Sequence, residues 1–471
     1  MGFSYKLAGW AIVMLSLFGC ACNHTDQQPV NCDSPSDYLP AECSTEEDLP
    51  STEITWPADL NTLLDIAFSN NPETRLAWQR AKIAEAQKGK AAAVFFPQVK
   101  LKAIAANSKD IAGQNPSDNK RLITHESTVF YPQIEITYSL FKFGAHRARA
   151  EAAKSELLAA NFQYNRALQT LAFSVQMAYF NLDSAKEAVS ANQLSLDDAK
   201  ASLEYAQRRY DSGLGNINDL LKARANLSQA QFQFEHSSAN IETARAELAR
   251  VLGLQVSSQI DIFNPNIDNN IDDALLGQVD DILAKTLECH PHILAAKARF
   301  DAATQANKSA SRNLMPELIA GFTGSINKVK HYDSNYQKYS AFVGLQWDLF
   351  DGFANLNNVI EARARTRAAK HELQAAKLDT AKNVWDQYHK FKSACRQLKA
   401  AGEYEKSAKE AFDSIQLAYA NGLGSFLDLM TAQNSLASAR QKLVASKNGL
   451  AISLAALAYA AGNLTINDRN R

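Results

Sequence analysis

The chain carries one plan twice. Pro72 and Pro97 are matched by Pro291 and Pro316, 219 residues later. Beyond them the offset becomes 209 and stays there. Leu140-Phe141 matches Leu349-Phe350, Tyr210 matches Tyr419, Gly213-Leu214-Gly215 matches Gly422-Leu423-Gly424, Asp219-Leu220 matches Asp428-Leu429, and Gly253 matches Gly462. A duplication of this length means that whatever one half folds into, the other does too. The ten-residue change of offset falls inside a strand-like region, where loop tips tolerate insertion.

Each half reads as helix, strand pair, very long helix, glycine turn and return helix. Proline at 72 and 291 suits the first turn of a helix, and Pro97 and Pro316 end helices of about 25 residues. Strict alternation follows in Gln98–Ala103 and Ile134–Ser139, and again, more loosely, in Glu317–Phe322 and Val343–Asp348. Period two gives each strand one apolar and one polar face. These segments predict hairpins at about 97–141 and 316–350, with Tyr131, Tyr138 and Trp347 at a membrane interface. Four strands cannot close a wall that faces lipid, because two edges stay unpaired. The chain therefore needs partners if it crosses a membrane by strands. A soluble sandwich with one buried face is the alternative.

From Lys142 to Tyr210, and from Asp351 to Tyr419, there is no proline, which predicts helices about 100 Å long. After each glycine turn a heptad runs: Leu220, Leu227, Phe234, Ile241, Leu248 in the first copy and Leu429, Leu436, Leu443, Leu450, Leu457 in the second. Small residues sit three positions on from most of these, a pattern for close helix packing. The expected fold is thus mainly α with a small β part. Its domains are a first repeat over 59–253, a linker over 254–287 and a second repeat over 288–471, with tip turns at 211–218 and 420–427.

Net charge is −1, so nothing steers the chain onto nucleic acid. No stretch beyond the N-terminus holds 18 unbroken apolar residues. Residues 1–19 read as a secretory signal, with Lys6 ahead of an apolar run. The run ends in Leu17-Phe18-Gly19-Cys20, which resembles a bacterial lipoprotein box with Cys20 as the lipidated residue. Cys22 is the alternative acceptor, and an ordinary signal cleaved nearby is a further one. Residues 20–58 then form a tether. Cys32 and Cys43 are able to pair in an oxidising compartment. Cys289 and Cys395 are expected as buried small hydrophobes. Cys289, His290 and His292 match no zinc spacing. There is no phosphate loop, no His-Glu-x-x-His and no Gly-x-Ser-x-Gly, so neither an enzyme nor a cofactor is expected.

Taken together, these features resemble the TolC-type outer-membrane efflux family over about Leu60 to Gly462. The marks are the tandem repeat, the Asn71-Pro72-Glu73 helix start, Phe96-Pro97 before a strand, Leu-Phe-Asp-Gly-Phe at 349–353, and the two Gly-Leu-Gly turns, each followed by Asp-Leu. The lipid anchor is similar to that of the family's lipoprotein subset. The resemblance implies a homotrimer whose twelve strands make an outer-membrane barrel continuous with a periplasmic helical barrel. It implies a periplasmic adaptor and an inner-membrane pump of resistance-nodulation-division, major facilitator or ABC type. It implies that Gly213, Leu214, Gly422 and Leu423 are the tips that meet the adaptor. It also implies that Asp428, with its mate Asp219, lines the periplasmic gate. The family's second gate aspartate is here Thr431 and its basic gate residue Gly424, so the latch differs. A lipid-anchored coiled-coil scaffold without a pore is the competing reading.

Overall fold

The structure is a computed structural model. It describes residues 56–113, 122–263, 279–329 and 334–462, all within one compact unit, Pro50–Arg471. The signal, Cys20 and the tether through residue 55, with Cys22, Cys32 and Cys43, lie outside the described residues, whereas Ala58 at the tether's end is already buried against the body.

The first half runs α1 (Leu60–Asn70), α2 (Pro72–Ala92), β1 (Gln98–Gly113), β2 (Leu122–Phe141), α3 (Ala145–Asp211) and α4 (Ile217–Leu252). The second runs α5 (Val279–Cys289), α6 (Pro291–Arg312), β3 (Glu317–Val329), β4 (Ser334–Gln346), α7 (Ala354–Ala420) and α8 (Phe426–Ala460). Each start has a local cause. Asn71 Oδ1 accepts the Glu73 N–H at 2.8 Å ahead of Pro72, and its Nδ2 donates to the Val251 carbonyl at 2.8 Å. At the matching position His290 Nδ1 accepts the His292 N–H at 3.2 Å. Both caps satisfy helix donors that would otherwise be orphaned.

α3 and α7 have 67 residues each, about 100 Å of helix. α3 packs against α4 and α8 toward the glycine turns and against α2 and α6 toward the strands, while α7 packs against α8 and α6. The α8 seam buries as its heptad requires except at Leu443, which is half-buried: Leu429, Leu436, Leu450 and Leu457 are buried, and so are Ala432, Ala439, Ser453 and Ala460. In α4 only the ends of the seam, Leu220 and Leu248, are buried, and Leu227, Phe234 and Ile241 are half-buried. The reason is packing partners: α8 is held between α3 and α7, whereas α4 rests on α3. Among the described residues α8 alone is long and apolar enough to cross a membrane. Its Leu–Ala seam is nevertheless spent on neighbouring helices, and Arg440 and Lys447 on it pair with Asp198 and Glu187 of α3. A second core lies at mid-length, where Leu63, Val175, Leu182, Leu248, Leu252 and Ile260 are fully buried.

The four strands form one antiparallel sheet in the order β1-β2-β3-β4, so the two halves join at β2–β3 and β1 and β4 are the edges. Register fixes the faces. Val99 opposes Ile136 and Leu101 opposes Ile134. Ile136 in turn opposes Phe322, which opposes Ala341. The other face holds Lys100, Glu135, Thr323 and Ser340 in one row.

Two expectations are corrected. Tyr131 opposes Ile104 and shares the polar face with Lys102 and Gln133, because a one-residue step in a strand reverses the face. It does not join Tyr138 on the apolar side. Cys289 is exposed, since it ends the short helix α5; Cys395 is half-buried against the Phe391 cluster.

Candidate functional site

The two glycine turns are built alike. In the first, the Leu214 N–H bonds to the Arg209 carbonyl at 2.9 Å and the Gly213 N–H to the Tyr210 carbonyl at 3.0 Å. In the second, Leu423 bonds to Ala418 at 2.9 Å and Gly422 to Tyr419 at 3.0 Å. This pair of bonds caps a helix C-terminus with a left-handed residue. Gly213 and Gly422 supply it at φ +73° and +79°. Asn216 Oδ1 and Ser425 Oγ then cap α4 and α8. In such caps the residue after the glycine usually packs back onto its own helix. Here Leu214 and Leu423 point away instead, 76% and 87% exposed. Two apolar knobs thus stand at the end of the helices, held by a rigid backbone.

Asp219 and Asp428 lie in the first turns of α4 and α8, where the helix dipole favours a carboxylate. Asp219 is half-buried and Asp428 exposed. Thr431 sits one turn further, its hydroxyl donating to the Leu427 carbonyl at 2.8 Å. Asp428, Thr431 and Gly424 line an open groove between α7 and α8, with Ala411, Ile415 and Ala418 on its other wall. The structure therefore brings Asp428, Thr431, Gly422 and Leu423 together around the second turn, and Asp219, Gly213 and Leu214 around the first.

Sequence reasoning missed Arg209. Its guanidinium reaches from α3 to the second turn, where Nη1 donates to the Tyr419 carbonyl at 2.9 Å and the group lies 4.8 Å from the Tyr419 ring. The repeat mate of Arg209 is Ala418, and that asymmetry was the available signal. Tyr419 also packs against Phe426, with ring centroids 5.6 Å apart. Burial raises its phenol pKa; the Arg209 charge opposes that shift and Asp219 adds to it.

The sheet is the second feature with chemistry. Its apolar face leaves Leu101, Val343 and Leu345 among the most exposed large residues of the chain. Where strands meet helices, Phe95, Phe96, Phe141, Phe143, Trp347, Phe350 and Phe353 are all exposed. Phe143 and Phe353 hold this place at positive φ, a cost of about 1–2 kcal/mol each for a side chain. An apolar band edged by aromatics is the surface of a strand wall in lipid. The polar face ends in a cluster at the helix junction: Glu317 accepts from Ser139 Oγ at 2.5 Å and from Lys142 Nζ at 2.9 Å. His146 Nε2 lies 2.8 Å from Ser139 Oγ and 3.5 Å from Glu317. Serine and acid approach the same ring nitrogen, so the acid cannot orient the imidazole from its far side as a nucleophile triad requires. Among the described residues no three His, Cys, Asp or Glu stand together as a metal site.

The outer membrane efflux protein family model matches residues 63–254 and 282–463. Over 425 residues the chain is 28% identical to protein CyaE of Bordetella pertussis, covering 87% of each. It is 24% identical to the pyoverdine export outer membrane protein OpmQ of Pseudomonas putida, covering 92% of each. The outer-membrane channel OprN superposes with a TM-score of 0.76 at 22% identity, over 86% of this chain and 90% of that one. A model match over both repeats, on a fold of paired long helices and a four-stranded sheet, places the chain in the outer membrane efflux protein family.

Proposed function

We propose that three copies of this chain form the outer-membrane exit duct of a tripartite efflux or secretion machine, anchored by lipid on Cys20. The observation that carries this reading is the sheet: it offers lipid an apolar face while β1 and β4 both remain open edges. In a bilayer those edges must pair, and β4 of one copy pairing with β1 of the next closes a barrel. Twelve strands follow from three copies, as the family fold implies.

The repeats support closure through the helices as well. α6 packs against both α3 and α7, with Ala295 and Ala302 buried. Their repeat mates on α2 are the larger Leu76 and Ile83, 52% and 57% exposed. Tyr419 is buried beneath Arg209, yet its mate Tyr210 is exposed. Along α7, Leu378 and Trp385 are exposed too. Each is apolar surface that a neighbouring α7, or a neighbouring α2 and α4, would cover by repeating the packing already present between the two halves. An exposed set of this kind marks an association surface.

The duct is passive, and an inner-membrane pump supplies energy through a periplasmic adaptor that the Leu214 and Leu423 knobs meet. The substrate class follows the pump, and pyoverdine export belongs to the relative that bears it in its name. Threefold symmetry makes Asp428 a ring of three carboxylates at the periplasmic mouth, a filter that favours cations. The test is conductance of the purified protein in planar bilayers. We expect a steady channel whose cation preference falls on Asp428→Ala; unchanged selectivity removes the gate role, and no conductance removes the duct.

A further inference from the structure

The polar face of the sheet carries, besides Tyr131, a large aromatic ring that the wall has been cut away to hold. Phe342 lies on that face, opposite Gly321 and two residues before Gly344. A Cβ built on Gly321 would stand 2.5 Å from Phe342 Cε1 and Cζ, and one on Gly344 would stand 3.8 Å from Cδ2. The ring therefore lies down across Gly321 rather than standing out from the strand. It remains 49% exposed, so one face of the ring looks off the sheet. Its neighbours on this face are Thr137, Thr323 and Ser340, which give it no aromatic partner. Among the residues whose side chains are described, the charges on the same face are Lys100, Lys102 and Lys338, against Glu135 and Glu317. Glu135 is paired with Lys102, and Glu317 with Lys142.

From this geometry we infer that Phe342 is a contact for the transported solute on the inner wall of the strand barrel, with a planar aromatic anion as its preferred ligand. The inference rests on the duct reading, which makes the polar face the lumen. A flat ring in a glycine bay presents its π face without narrowing the passage, and flat presentation suits offset stacking with another planar ring. Lys100 stands directly opposite Glu135, whereas Lys338 has no carboxylate in its row, so Lys338 sets the sign of the solute. A three-copy barrel repeats the platform three times at one level.

Single-channel recording tests this with 2-naphthalenesulfonate added to the bath and methanesulfonate as the non-aromatic anion of equal charge. We expect naphthalenesulfonate to reduce the current of the native channel and methanesulfonate to leave it unchanged. Phe342→Ser should raise the naphthalenesulfonate concentration for half-block about fivefold, the factor expected of one aromatic contact, and Phe342→Tyr should restore it. Gly321→Ala supplies a second variant: its Cβ displaces the ring into the passage, so open-channel current should fall with no solute present. Full conductance with equal block in native and Phe342→Ser channels overturns the inference while leaving the duct intact. Block by naphthyltrimethylammonium in place of the sulfonate overturns the sign of the solute. Absence of any conductance overturns both readings.

Discussion

At the scale of single residues, the duplicated positions that changed chemistry are the informative ones. His290 caps α6 where Asn71 caps α2, and the exchange has a consequence for acid stability. Burial, the nearby Arg166 guanidinium and His292 push the His290 imidazole down to about 4. Arg166 Nη1 stands 3.0 Å from its Nε2 while the His292 N–H faces Nδ1. Two donors thus face one ring, and a protonated ring would face both with no acceptor. Between its unfolded value near 6.5 and about 4, the unfolded chain binds the proton and the folded chain does not. The contribution is therefore present in full above about 6.5 and is lost as pH falls toward 4. Asp183 acts in the opposite sense. Burial first, and then Glu187, raise its carboxyl to about 6, so its share of stability declines as pH rises through that value. The variant His290→Asn keeps a capping side chain and removes the buried imidazole. Its melting temperature should fall less between pH 7 and pH 5 than that of the native protein; identical pH profiles would remove His290 as the acid-sensitive group.

At the scale of elements, the return helices and their turns carry separable roles. Leu436 is 1% exposed in the α8 seam, so Leu436→Ala should cost about 2–5 kcal/mol and lower the denaturant midpoint of unfolding. The same change at Leu423, exposed at the turn, should leave that midpoint unmoved and weaken capture of the adaptor in a pull-down. A stability loss at Leu423 would show that the knob packs within the chain. The element plan itself was legible in the sequence because its signals are local: proline at helix starts, alternation in β1 and β2, a leucine heptad after each Gly-Leu-Gly. What was not legible depends on distance in the fold. Tyr131 is a different case, since its face was legible: it stands seven residues before Tyr138, and an odd step along a strand puts the two on opposite faces. Arg209 was missed because its partner Tyr419 is 210 residues away, and no periodicity links them. The half-exposed seam of α4 follows from which helices stand beside it, which a heptad cannot state.

At the scale of the whole molecule, the chain carries the surfaces that the proposed closed ring requires. Residues buried between its two halves have mates exposed on its flanks, and the sheet ends in two open edges. The lipid-facing side of the sheet makes a direct prediction. Leu101→Lys places a charge on the apolar face and should cost about 2–4 kcal/mol if the site lies at mid-membrane, read as loss of the protein from the outer-membrane fraction. Lys100→Leu on the opposite face should leave membrane recovery unaltered. Full membrane recovery of Leu101→Lys would mean that the faces have been assigned the wrong way round. The mass and form of the detergent-extracted protein, by light scattering and electron microscopy of the same sample, test the three-copy duct most directly. Three copies are expected in a hollow, threefold tube longer than the approximately 100 Å of the long helices. A monomer that needs no detergent, or a solid rod, would contradict it.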